Sequence, residues 1–442
     1  MTEAAPLEFL FGLQQHGVKL GLEKIALLCD ALGHPEGSFR SVLVAGTNGK
    51  GSVAAIVDTA LQAAGLRTGR FTSPHLVELE ERFCVNGVCV SRPDLTSLAQ
   101  VLQNTVDNLL TSGTLETPPT FFEATTAIAF MLFQRTGVDV AVLEVGMGGR
   151  FDATNIVSPA ATAITSVDLD HTQFLGKTLP EIAFEKAGVI RSDGLVVTGE
   201  TKPEALDVIR SICGERNARL VEVSQDVSMQ VELRNGLTEL VMTTPHRTYG
   251  PLVLSLRGRH QAHNAGIAVR LLEEFDVKHQ IPKRAIEAGL ARTQWPGRLE
   301  LIRAGERGWA LLDAAHNVAA AAALGRYLEE TYPGGLPLIL AAMRDKDLAG
   351  MLQQLEPMVS RIVCTAPRSP RARPAEEVSR IAAQYCPGIP LTVADSPAAA
   401  LEEAWQHNET ICVAGSVYLI GEVRELLASR TTSSAPPSEG PE

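Results

Sequence analysis

The segment Gly46-Thr47-Asn48-Gly49-Lys50-Gly51-Ser52 combines three glycines, one lysine and a hydroxyl between the apolar run Ser41–Ala45 and the Ala-rich run Ser52–Ala64. Glycines let backbone N–H groups approach phosphate oxygens, and the start of a helix adds partial positive charge. In such a loop Lys50 reaches the outer phosphates and the Ser52 hydroxyl can ligate Mg²⁺. The spacing departs from G-x-x-x-x-G-K-[ST]: two residues separate Gly46 from Gly49, and Gly51 splits Lys50 from Ser52. An ordinary Gly/Asn turn is the competing reading. A single lysine in a strand–loop–helix setting argues for phosphate.

Three more segments follow strand-like runs: Phe71-Thr72-Ser73-Pro74-His75-Leu76, Glu144-Val145-Gly146-Met147-Gly148-Gly149-Arg150 and Asp168-Leu169-Asp170-His171. Open α/β sheets bind ligands at the carboxyl ends of their strands. Singly, each segment reads equally well as a turn, a loop or a helix cap. Together with the phosphate loop they suggest a Mg²⁺-nucleotide site. Lys186 lies in the amphipathic run Leu179–Ile190 beside Glu185, and taken alone it reads as a solvated helix lysine.

These residues need a scaffold, and the chain supplies βαβ alternation. Ser41–Ala45, Val138–Val145 and Ala160–Val167 read as buried parallel strands, and Ser52–Ala64 as a helix. Asn86-Gly87 within Phe83–Val90 suits a type I′ hairpin, which sets Cys84 opposite Cys89 as two small apolar side chains. A second strand-like series covers Trp309–Ala314, Leu336–Ala342, Arg361–Thr365, Leu391–Ala394 and Thr410–Val413. The Pro-Gly breaker in Thr293–Arg298 separates the two series. The expected fold is therefore α/β: a P-loop ATPase domain with a mainly parallel sheet over 1–296 and a smaller Rossmann-like α/β domain over 297–430. A polar Ser/Pro-rich tail over 431–442 reads as disordered.

With 442 residues, two or three cores are affordable in size. A net charge of −12 argues against a generic nucleic-acid binder. Seven cysteines, an odd number in a long chain, do not form a disulfide framework. No basic n-region opens the sequence and no apolar run approaches the ~18 residues of a membrane span, so a cytoplasmic protein without membrane contact is expected.

The motifs AGTNGKGS (45–52), TSPHL (72–76), TFFEATTAIAF (120–130), LEVGMGGRFDATN (143–155), DHTQFLGKTLPEIAFEKAGVIR (170–191), GRHQAHNA (258–265), WPGR (295–298), DAAHN (313–317) and RDKD (344–347) span nearly the whole chain. On them the sequence resembles the Mur ligase superfamily, and within it the folylpolyglutamate synthases and bifunctional dihydrofolate synthase/folylpolyglutamate synthases. The GKGS phosphate loop distinguishes that branch from Mur enzymes with GK[ST].

The resemblance implies an ATP-dependent ligase that adds L-glutamate to dihydropteroate, to the glutamate tail of folates, or to both, through an acyl phosphate. Asn48, Gly49, Lys50, Gly51 and Ser52 would bind ATP, with Asn264, Arg298 and Asp313. Ser52, Ser73, Glu144, His171 and Lys186 would surround Mg²⁺, in two ions. Lys186 would carry a CO₂-derived carbamate, which overturns the bland reading of that residue. Lys50, Glu144, His171 and Lys186 would be the catalytic groups. Leu20, Thr120, Phe121, Phe122, Glu123, Gly148, Gly149 and Arg150 would bind the pterin or folate, and His316 the incoming glutamate. Val318 departs from the family's usual proline after DxAHN, which puts the rigidity of the helix start in question. A monomer is expected. The rival classes are a P-loop NTPase switch, for which DAAHN and WPGR are unneeded, and a small-molecule kinase.

Overall fold

The computed structural model describes residues 5–17, 21–275 and 281–432. Its first sheet contains β1 (Arg40–Ala45), β2 (Thr68–Phe71), β3 (Phe83–Val85), β4 (Val88–Cys89), β5 (Val140–Glu144), β6 (Ala161–Ile164), β7 (Leu195–Thr198) and β8 (Arg219–Glu222). Their order is β4-β3-β2-β5-β1-β6-β7-β8. β2, β5, β1, β6, β7 and β8 run parallel, whereas the β3–β4 hairpin adds an antiparallel edge. β5 is buried at every position and β1 at all but its first. Continuous Val/Leu/Ala runs suit strands covered on both faces. The hairpin turn holds Asn86 at φ 49° and Gly87 at φ 75°, the two positive values that type I′ requires.

The helix Lys50–Ala63 follows β1 and the helix Phe121–Thr136 precedes β5. The latter is buried from Glu123 to Phe133, an apolar cylinder inside the main core with Phe71, Phe83, Leu95 and Leu143. Gly69 lets it approach β2, because a Cβ there would lie 2.6 Å from the Phe133 ring.

A three-stranded sheet, β9 (Ser228–Arg234), β10 (Leu237–Thr243) and β11 (Thr248–Leu254) in the order β11-β10-β9, was not expected. Its signal was there: alternate burial along β10 matches TELVMT, and Asn235-Gly236 forms the connecting turn with both φ values positive.

A third sheet contains β12 (Glu300–Arg303), β13 (Trp309–Leu312), β14 (Leu336–Leu340), β15 (Val359–Cys364), β16 (Leu391–Val393) and β17 (Thr410–Ala414), ordered β12-β13-β17-β14-β15-β16. Only β12 pairs antiparallel. A separate core around Leu311, Leu324, Leu338, Met351 and Ile362 holds it together.

The chain divides into two compact units: Met1–Val231, Glu239–Ser255 and Gln261–Gln294 in one, Glu232–Thr238, Leu256–His260 and Trp295–Glu442 in the other. The division after Gln294 differs from the expected boundary at 296, and two short segments upstream go with the second unit. The last helix, Val417–Thr432, takes in the first two residues of the expected tail, whose first proline comes only at Pro436. Residues 433–442 lie outside the described residues. Among the described residues no helix is long and apolar enough to cross a membrane.

Candidate active site

Adjacent strands β2, β5, β1 and β6 bring their carboxyl ends side by side. The four segments singled out above leave the sheet there: Thr72-Ser73 after β2, Glu144–Arg150 at β5, Gly46–Ser52 after β1 and Asp168–His171 beyond β6. In the phosphate loop Gly46 (φ 143°) and Gly49 (φ 85°) adopt backbone that side chains avoid. A Cβ on Gly46 would meet the Thr165 hydroxyl at 1.9 Å, and one on Gly49 the Asn264 Oδ1 at 2.4 Å. Asn264, buried on the helix Arg259–Phe275, thus abuts the loop, and its Nδ2 donates to Gln261 Oε1 at 2.9 Å.

The β6 loop braces the phosphate loop. Thr47 N donates to Ser166 O at 2.7 Å, Asn48 N to Ser166 Oγ at 3.2 Å, and Thr165 Oγ1 to Asn48 O at 2.6 Å. Sequence reasoning missed Thr165 and Ser166, and hydroxyls at a strand end were their only signal. Asp168, in the segment that follows β6, accepts from Asn48 Nδ2 at 3.3 Å and pairs with Lys202 at 3.0 Å. Lys50 opens the helix after Gly49, with Nζ donating to Thr47 O at 3.1 Å, and Ser52 is buried within its first turn.

Glu144 is buried at the end of β5, and its Oε2 accepts from Ser73 N at 3.1 Å. His171 stands at φ 50° before the turn Thr172–Leu175, its N–H bonded to Asp170 Oδ1 at 2.9 Å. Among the described residues no group of three or more His, Cys, Asp or Glu is placed to hold a metal. Mg²⁺ usually takes one or two protein carboxylates and completes its shell with substrate phosphates and water. One buried carboxylate with nearby hydroxyls fits an ion of that kind.

Lys186 is 3% exposed, the reverse of a solvated lysine, and its Nζ donates to Gly46 O at 2.9 Å. Burial first, and then the Lys50 charge, pull its pKa down to about 7 against the opposing pull of Asp170, Asp168 and Asp152. Neighbouring Glu185 pairs instead with Arg150 at 3.0 Å. The Gly148–Arg150 loop packs on this helix: a Cβ on Gly149 would touch Lys186 O at 2.7 Å, and Arg150 N donates to Glu185 O at 2.8 Å. The Arg150 guanidinium lies over Phe151 and Phe184 at 4.3 and 5.1 Å. Asp152, which sequence reasoning passed over within FDATN, folds the loop by accepting from Met147 N and Thr154 N, each at 3.0 Å. Burial raises its pKa.

Thr120 and Glu123 form a reciprocal cap: Thr120 N donates to Glu123 Oε2 at 2.7 Å and Glu123 N to Thr120 Oγ1 at 3.2 Å. Phe121 stacks on Phe11 with centroids 6.3 Å apart, and Arg82 lies 5.2 Å over the same ring. Phe122 packs on Phe71 at 5.8 Å and would meet a Cβ on Gly146 at 2.7 Å. Leu20 lies outside the described residues.

The second unit carries Arg298, Asp313 and His316. Buried Asp313 accepts from Leu299 N and Ala315 N, each at 2.9 Å; burial raises its pKa and Arg298 opposes the rise. His316 Nδ1 donates to Ala314 O at 2.8 Å. Val318 begins the helix Val318–Thr331 without a proline, and Asn317 secures that start by accepting from Ala320 N at 2.9 Å.

The sequence profile of the Mur ligase middle domain matches residues 94–272, and that of the Mur ligase glutamate ligase domain matches 297–417. A dihydrofolate synthase/folylpolyglutamate synthase of Bacillus subtilis is 35% identical over 428 residues, 95% of this chain and 97% of its own. The folylpolyglutamate synthase of Mycobacterium tuberculosis, complexed with ADP and AMPPCP, superposes with a TM-score of 0.88 at 32% identity over 99% of this chain and 100% of that one. A bifunctional folylpolyglutamate synthase/dihydrofolate synthase with Mn, AMPPNP and L-glutamate bound gives 0.82 at 30% identity over 97% and 98%. With both domain profiles matched in order and the likeness running through the whole fold, the chain belongs to the Mur ligase superfamily, in its folylpolyglutamate synthase/dihydrofolate synthase branch.

Proposed function

We propose that the chain is an ATP-dependent, amide-bond-forming ligase that adds L-glutamate to dihydropteroate, to the glutamate tail of folates, or to both, with release of ADP and phosphate. The observation that carries this reading is the phosphate loop Gly46–Ser52 among four adjacent strand ends, with buried Lys186 tied to Gly46. The relative holding Mn, AMPPNP and L-glutamate supports the same substrates.

Joining a carboxylate to an amine requires the carboxylate to be activated, and transfer of the ATP γ-phosphoryl group makes it an acyl phosphate. The loop N–H groups and Lys50 hold the phosphates and offset the charge that develops during transfer. Glu144, with Ser52, Ser73 and His171, would hold Mg²⁺, which supplies Lewis-acid polarisation of phosphoryl oxygens. A neutral Lys186 amine attacks CO₂ and loses a proton, leaving a carbamate whose two hard oxygens suit a second ion. Asn264, Arg298 and Asp313 would position the nucleotide and His316 the glutamate. The aromatic pair Phe121 and Phe122 and the Gly148–Arg150 loop would meet the pterin or folate, with Thr120 and Glu123 fixing the helix that presents the rings. All seven cysteines are free thiols, which suits a reducing compartment such as the cytoplasm.

The test is one assay of the purified chain with ATP, Mg²⁺ and glutamate, comparing dihydropteroate with tetrahydrofolate. A product one glutamate heavier, formed in step with ADP, is expected. No amide product from either acceptor would sink the reading, and ADP release indifferent to glutamate would favour a nucleotide switch.

A further inference from the structure

The hairpin β3–β4 holds two thiols that ligation does not use. Val85 and Val88 flank its two-residue turn, so Cys84 and Cys89 face each other at the next pair. Beyond them Val90 N donates to Phe83 O at 2.8 Å, which makes the cysteine pair the non-hydrogen-bonded one. Cα atoms at such a pair stand about 4.5 Å apart, within the ~4.4–6.8 Å that a disulfide spans. The sulfurs are free and 3.3 Å from each other; Cys84 is buried and Cys89 exposed. Arg70 Nη2 donates to Cys84 Sγ at 3.4 Å. Cys89 also lines a cavity of about 590 Å³ whose wall includes Arg67, Ser91, Asp94 and Arg135. Arg135 is paired with Asp94 at 3.0 Å, while Arg67 adds an exposed cation.

We propose that Cys89 and Cys84 form a reversible dithiol–disulfide site that accepts oxidising equivalents from a low-molecular-weight disulfide bearing carboxylates. Arg67, exposed on the wall of the cavity that Cys89 lines, complements those carboxylates, and the exposed sulfur is the one a small disulfide reaches.

The roles of the two sulfurs follow from their surroundings. The hydrogen bond from Cys84, with help from Arg70, pulls the Cys89 thiol down to about 7 against burial, Glu80 and Glu81. The same hydrogen bond, followed by burial, pushes Cys84 up. A thiol with a pKa near ambient pH attacks disulfides well. The Cys89 thiolate displaces one thiolate from the small disulfide and forms a mixed disulfide. Cys89 then no longer carries the charge that keeps Cys84 protonated. Cys84 loses its proton to solvent, attacks Cys89 Sγ and expels the second thiolate. Two protein thiols are oxidised by two electrons, and one small disulfide is reduced to two thiols.

The experiment treats the full chain with oxidised glutathione at neutral pH, blocks the remaining thiols and maps them by mass spectrometry. Two of the seven thiols should disappear into a Cys84–Cys89 bond, and excess reduced glutathione should restore them. Cys84→Ser should stop at one glutathione on Cys89, and Cys89→Ser, at an exposed position, should take up none. Uncharged hydroxyethyl disulfide should react several-fold more slowly. Loss of the Cys84 thiol in Cys89→Ser, a stable adduct on Cys89 in the unmutated chain, or a bond formed by hydrogen peroxide but not by oxidised glutathione would each overturn the assignment.

Discussion

Lys186 Nζ donates to the carbonyl of Gly46 at 2.9 Å, tying a helix to the first residue of a loop 140 positions earlier. The contact buries an amine beside the phosphate loop, and with Lys50 close by it favours the neutral form. Neutral amine is the form that combines with CO₂. The geometry therefore supports both the contact seen here and the carbamate proposed for turnover.

Lys186→Ala should lower kcat by about 10²–10³-fold, the order of loss seen when one preorganised electrostatic group such as an oxyanion-hole donor is removed. Short-chain carboxylates should restore part of the rate by occupying the vacated place. Carbon-13 spectra with labelled bicarbonate should show one carbamate signal that Lys186→Ala lacks. A variant of normal rate, or an intact enzyme with no such signal, returns Lys186 to a structural role.

Gly49→Ala tests the loop. A left-handed alanine costs about 1–2 kcal/mol, and its Cβ would collide with Asn264 Oδ1 at 2.4 Å. A lower unfolding temperature and a raised KM for ATP are expected together. Lys50→Ala, by contrast, should abolish turnover with the unfolding temperature nearly unchanged, since Nζ makes one backbone contact at 3.1 Å that water can replace. Normal KM for ATP in both variants would remove the loop from the nucleotide site.

The parallel strands and the phosphate loop were legible because their signals are local: apolar runs, then Gly, Lys and Ser in a fixed spacing. Cys84 opposite Cys89 was legible because Asn86-Gly87 sets the register. Lys186 was not, since neither its neighbours nor its helical period reveal that Gly46 lies across from it; only the family resemblance pointed there. Thr165 and Ser166 were missed for the same reason, as their partners Thr47 and Asn48 come from another segment of the chain, whereas Asp152 was passed over although its partners Met147 and Thr154 lie in its own loop. The sheet β9–β11 was overlooked although its alternation is plain.

Glu123 separates capping from ligand binding. Its carboxylate accepts from Thr120 N at 2.7 Å within a buried helix start. Glu123→Ala should cost roughly 1–2 kcal/mol for the lost cap and lower the unfolding temperature, leaving the KM for folate within about three-fold. A large rise in that KM with unchanged unfolding temperature would make Glu123 a folate contact.

His260 gives the second unit a pH dependence of known sign. Burial, and then the charges of Arg298 and Arg326, lower its pKa from 6.5 to about 4. Between those values the unfolded chain binds the proton and the folded one does not. Stability from this group is therefore complete above about pH 6.5, is lost as pH falls toward 4, and changes no further below. The whole effect is at most roughly 3 kcal/mol. Buried Asp313, with its pKa raised, works in the opposite direction, and His75 and His263, lowered by burial, in the same direction, so only a comparison with a variant separates the His260 contribution. Unfolding temperatures of the native chain and of His260→Gln, measured at pH 7 and at pH 4.5, isolate the histidine. The variant should lose less on acidification than the native chain. Parallel losses in the two proteins would show that His260 is not held neutral in the fold.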